Sequence, residues 1–156
     1  MVSQNLSFAE FKELDNKVKK KCRDLFYLHP ELLNEYDLTL FENHTPQELE
    51  VLSGFKKKVH SKFLILKHKP EHSIFIDVET KIVYFVKSLS QPLEFMLNEP
   101  IAYVGTALLP FNDVIIFDGF LDIHSAKNPV PEWVLENYIK IYRKAKKEKT
   151  YVSSLN

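Results

Sequence analysis

Apolar residues recur at two different spacings along this chain, and the change of spacing divides it. Phe8, Phe11, Leu14, Val18, Cys22, Leu25 and Phe26 follow one another at steps of three and four. This is the stripe of a helix from about 8 to 28. Ser7-Phe-Ala-Glu10 is a capping box at its start. Pro30 opens a short helix through Leu33, and Thr45-Pro-Gln-Glu48 is a second capping box with proline at the first helical position. Leu49, Leu52 and Phe55 give that helix an apolar face, and Gly54 marks an early stop or a close approach.

From Ser61 the spacing becomes two. Phe63 and Ile65 point to one face and Leu64 and Leu66 to the other. Pro70–Ser73 is a turn, Ser73–Val78 a second strand, Glu79-Thr-Lys81 a tight connection and Ile82–Lys87 a third strand. Pro92–Leu97 has room for one or two helical turns. Ile101–Leu109 and Val114–Phe117 form a hairpin about Pro110-Phe-Asn-Asp113, extending toward Leu121, with Asp118-Gly119 as punctuation. Several strands are apolar on both faces. That requires helices on each side or a sheet curled into a small barrel. After Asn128-Pro-Val-Pro-Glu132 a last helix begins, with Trp133, Val134, Tyr138, Ile141, Tyr142 and Ala145 as its stripe. Thr150-Tyr-Val152 reads as a short edge strand.

The predicted architecture is α+β. N-terminal helices pack on a five-stranded antiparallel, barrel-like sheet, and a C-terminal helix closes it. At 156 residues a single domain is expected, helical over 7–57, a β meander over 61–121 and a helix over 130–147.

Composition narrows the function classes. Only three glycines are present and none lies in a phosphate-binding loop, so nucleotide binding by those devices is excluded and no cofactor is expected. The single cysteine forbids an internal disulfide; within the apolar stripe, Cys22 is expected to be a buried small hydrophobe. Met1–Ser7 lacks a basic-then-apolar signal pattern, and no apolar run reaches the roughly 18–20 residues of a membrane span. The expected setting is cytoplasmic.

Net charge is zero, yet 17 of the 21 basic residues fall in three segments, 17–23, 56–69 and 140–149. If these converge, one face is positive. Lys56, Lys57, Lys58, Lys62, Lys67, Lys69, Arg143, Lys144 and Lys147 are then the candidates for contacting nucleic-acid phosphates, with Tyr84 beside them for stacking. The alternative is a set of solvated faces.

The remaining candidate chemistry is sparse. Asp113, Asp118, Asp122 and His124 cluster after the hairpin; Asp118 and His124 are the acid–base candidates, and Asp113 and Asp122 the metal-ligand candidates, of a metal-assisted hydrolase. Against this, Asp113 is a turn residue and Asp118 precedes glycine, both structural habits. His68-x-x-x-His72 has ligand spacing, but Pro70 between the rings breaks the helix that would align them.

The hairpin, Thr106-Ala-Leu-Leu-Pro-Phe-Asn-Asp-Val-Ile-Ile-Phe-Asp-Gly-Phe-Leu121, resembles a motif, T-x-L-L-P-F-x-x-x-I-I-x-D-G, of a set of uncharacterised bacterial proteins without an established activity. Ala145-Lys146 fits the closing pair of that family's last helix, and the resemblance extends over about 25–155. It implies helices before a strand meander and an intracellular bacterial setting, and no mechanism. The leading expectation is a non-catalytic binding module for an unknown partner, protein or nucleic acid, with no membrane association. Nucleic-acid binding is its first alternative.

Overall fold

The computed structural model describes residues 8–29, 31, 45–89, 91–97, 99–124 and 129–155. It divides into two compact units, Met1–His44 and Thr45–Asn156. Ser7 of the capping box, Pro30, Leu32 and Leu33 of the expected short helix, and Asn128 lie outside the described residues; Glu31 is in a turn.

In the first unit the expected long helix is two. Helix α1 spans Phe8–Glu13 and α2 spans Asn16–Leu28. Asp15 is the reason: its carboxylate accepts from the Lys17 amide at 2.7 Å and caps α2, satisfying a donor that a continuous helix would have bonded internally. No residue of α2 is buried. Cys22 is exposed, contrary to its expected burial, as are Val18 and Leu25 on the same stripe.

The second unit begins with α3, Pro46–Gly54, entered through proline at its first position. The sheet follows: β1 Val59–His68, β2 Ser73–Asp77, β3 Val83–Lys87, β4 Ala102–Phe111, β5 Val114–Phe117 and β6 Asp122–Ile123. Strand β1 is long enough to serve two partners. Val59–Ile65 pairs with β4 and Phe63–His68 pairs with β2, with a register shift between Ile65 and Lys67. The order β1-β2-β3-β5-β4 therefore returns to β1 and forms a ring, with β6 added outside β4. The sheet is mixed rather than wholly antiparallel, because β3 and β5 run parallel over Val86↔Ile115 and Lys87↔Ile116. The hairpin turn is Asn112-Asp113 alone, and Pro110 belongs to β4. Proline is tolerated there because β1 has already run out, its first residue Val59 pairing with Leu108.

Alternate residues sort into two apolar clusters. Phe63, Ile65, Phe75, Tyr84, Val86, Val104 and Ile115 fill the inside of the ring, where Leu93 and Leu97, around the 3₁₀ turn Leu93–Phe95, join them. Leu64, Leu66, Ile74, Ile76 and Val83 face outward and meet Tyr138 and Ala145 of helix α4, Glu132–Glu148. Both faces of β1–β3 are thus covered, as their two-sided apolar pattern requires. Each such side chain contributes about 1.5–3 kcal/mol over leaving it exposed. Tyr84 lies inside the ring, so it is not a surface stacking residue. Trp133 is 75% exposed and stands outside the buried stripe of α4, where Leu135 and Ile139 take part instead. At the far end of the sheet a Cβ on Gly54 would lie 3.0 Å from Pro110 Cγ, so α3 ends against β4 at glycine distance.

Candidate functional site

Asp118 holds the turn that follows the hairpin. The buried Thr106 hydroxyl on β4 donates to the Phe120 carbonyl at 2.7 Å and to Asp118 Oδ1 at 3.1 Å, and the Phe120 amide donates to the same carboxylate at 3.1 Å. Gly119, at φ +87°, supplies the left-handed residue that this turn needs. Asp122 and His124 lie over Gly105 on the outer face of β4: a Cβ at Gly105 would be 3.3 Å from His124 Nε2 and 3.4 Å from Asp122 Cβ. Asp113 is exposed in the Asn112-Asp113 turn, at the other end of β5 from Asp118, about 16 Å away along an extended strand. Among the described residues no three His, Cys, Asp or Glu side chains gather into a group able to hold a metal ion.

The histidine pair sits at the β1–β2 turn, beside a cleft of about 450 Å³ that His68, His72, Ser73, Gln91 and Glu94 help to line. His68 Nδ1 and Ser73 Oγ are 2.8 Å apart. A serine–histidine pair becomes a nucleophile when an orienting group holds the second ring nitrogen. Among the described residues the Nε2 atoms of His68 and His72 are buried without a hydrogen-bond partner, so no such orienting group is found among them, and His68 links the two ends of the turn through Ser73. Burial lowers the His68 pKa despite the opposing Glu94 carboxylate. Burial, Lys69 and Lys87 lower that of His72 against the pull of Glu71.

The basic residues do not form one face. Lys56, Lys57 and Lys58 precede β1, and Lys67 and Lys69 lie at its other end. A ten-residue strand separates the two groups, about 30 Å. Lys62 pairs in register with Gly105 in the middle of the sheet. The second and third segments do meet at one point, where Lys69 Nζ stands 5.7 Å from the Tyr142 ring centroid. The denser cationic surface is on α4 itself. Trp133, Lys140, Arg143, Lys144 and Lys147 are exposed and share one stripe of that helix, with Glu136 its only acid. Among the described residues none of these four cations enters an ion pair. The stripe is about 21 Å long at 1.5 Å per residue. Lys140 and Trp133 were not among the expected contacts, although their spacing of seven, repeated at Lys147, was readable. The apolar character of Trp133 had assigned it to the core.

Among the described residues, no helix is long and apolar enough to cross a membrane. In comparison with known proteins, the chain matches no family model, no curated protein and no solved structure.

Proposed function

We propose that the chain is a non-catalytic, cytoplasmic binding module whose ligand is single-stranded nucleic acid, held along the exposed stripe of α4. The observation that carries this reading is the stripe: four cations, without an ion pair among the described residues, in line with an exposed tryptophan. Lysine and arginine neutralise phosphates, and an indole face stacks on a base without regard to its identity. Helix α4 covers the outer face of the sheet, packing Tyr138 and Ala145 over Ile74, Ile76 and Val83, and its own outer side carries the charge. Nothing in the placement of Asp113, Asp118, Asp122 and His124 favours metal-assisted hydrolysis.

Trp133 is the only tryptophan, so its fluorescence reports directly on the proposed surface. Titration with single-stranded oligonucleotide at low salt should quench it. Affinity should fall with salt at a log–log slope of about −0.7 per phosphate contact, near −3 for four contacts. Replacing Lys140, Arg143, Lys144 and Lys147 together by alanine should flatten that slope; replacing Lys56, Lys57 and Lys58 should leave it unchanged. Absence of binding at low salt, or equal loss with the two sets, refutes the proposal. Tighter binding of duplex would shift it to another nucleic-acid class.

A further inference from the structure

The ring is thinnest where β3 meets β5. Only Val86 and Lys87 find partners there. The preceding half of β3 presents the same edge, and its Val83 carbonyl and Phe85 amide point at the gap. The C-terminal residues fill it. The Val152 amide donates to the Val83 carbonyl at 2.8 Å, and the Phe85 amide donates to the Val152 carbonyl at 2.9 Å. This places Val152 opposite Tyr84 as a one-residue parallel bridge. The side chains divide across the seam. Val152 and Leu155 pack against the cluster inside the ring. Tyr151 stays outside, stacked on Phe85 with centroids 4.2 Å apart and planes 12° from parallel. Phe85 is stacked in turn on His72 at 4.3 Å and 17°.

The seam therefore reads a short segment at three points, with a bend at Ser153 between the second and the third. An aromatic ring is read outside, a β-branched residue at the gap, and an apolar residue three positions on, inside. Backbone hydrogen bonds to a sheet edge with alternate side chains in pockets are how strand-addition sites recognise peptides. The segment holds this edge by two backbone hydrogen bonds and takes no part in the pairing of β3 with β2 or β5, so its exchange does not require the ladder to open.

The geometry points to a strand-accepting groove at the β3–β5 seam that binds a peptide of a partner protein, extended at its first two residues and bent at the third, with the pattern aromatic, β-branched, two residues, leucine. The chain's own Tyr151–Leu155 is its resident occupant, and a partner's segment of that pattern exchanges with it. This site is distinct from the α4 stripe.

The test uses the full chain carrying Val152→Asp, which sets a carboxylate against the apolar interior and unseats the tail, together with a fluorescent peptide of the sequence Thr-Tyr-Val-Ser-Ser-Leu. The variant should bind the peptide at least tenfold more tightly than the native chain, and saturating peptide should raise its melting temperature. A peptide of the same composition with Tyr and Val moved should do neither. Equal binding to variant and native chain places the peptide elsewhere and overturns the proposal, as does failure of a folded variant to bind at all. Should Val152→Asp abolish the cooperative melt, its return on adding peptide supports the groove and its failure to return rejects it. Oligonucleotide binding by the α4 stripe should be unchanged in the variant, which separates the two sites.

Discussion

Leu109 shows how a single side chain reports on the sheet. It pairs with Ile116 across the hairpin and is 6% exposed. Leu109→Ala should cost about 2–5 kcal/mol in urea unfolding, because the surrounding strands cannot collapse to fill the space. A near-neutral value would mean that the register of β4 is wrong. Its neighbour Thr106 illustrates what a sequence cannot say of a polar residue. It follows Gly105 in an apolar strand and is fully buried, because its hydroxyl has two acceptors in the turn after β5. The aspartate it bonds, Asp118, had looked equally suited to acid–base work. Only the partner distinguishes a fastening from a reactive group.

At the scale of elements, α4 does three things with one amphipathic pattern. One face closes the sheet, the opposite face carries cations, and its end turns the chain back toward β3. The last step rests on Lys149, which adopts φ 55° while the Thr150 amide donates to the Ala145 carbonyl at 2.9 Å. Glycine usually holds this cap position, since a side chain costs about 1–2 kcal/mol in the left-handed region. Lys149→Gly should therefore stabilise the protein by about 0.5–1 kcal/mol, part of the relief being offset by glycine's greater freedom when unfolded. A thermal melt decides it, and Lys149→Ala, which keeps a Cβ, should show no gain. The contrast with α2 is instructive. Its apolar residues are as regularly spaced as those of α4, yet none is buried. Periodicity announces a helix and one apolar face; it does not name what covers that face.

For the molecule as a whole, the titration of its buried groups sets how stability depends on pH. His68 and His72 have folded pKa values below the ordinary 6.5, chiefly through burial. The unfolded chain then binds more protons as pH drops past 6.5, so stability should be full above that value and decline below it. Asp77 acts lower on the scale. Burial raises its pKa, but the Thr80 and Glu79 amides, each 2.8 Å from Oδ1, and the Ser61 and Thr80 hydroxyls outweigh it and hold the pKa below the ordinary value. Its contribution is present above about pH 4 and is lost as pH falls through the lowered folded value. Urea midpoints from pH 8 to 3 should show both declines. His72→Phe, which removes one titrating ring and retains a stack on Phe85, should flatten the first decline only. An unchanged slope between pH 7 and 5.5 in that variant would show that His72 is not one of its sources.

Period-two spacing over 61–117 was enough to fix the strands and the face each residue takes, because successive side chains on an extended chain must alternate. Two apolar faces were enough to demand a cover on each. A proline, a capping threonine and a run of three-and-four steps placed the helices on either side. Which strands became neighbours was decided in three dimensions. The parallel β3–β5 pair, the return of β4 to β1 and the C-terminal residues in the remaining gap depend on contacts between segments far apart in the chain, and no local spacing encodes them. The same holds for the charges. Three basic runs are plain in the sequence, but only the geometry of a helix lying on a sheet decides that one of them presents its cations on a single exposed stripe while another is stretched along a strand.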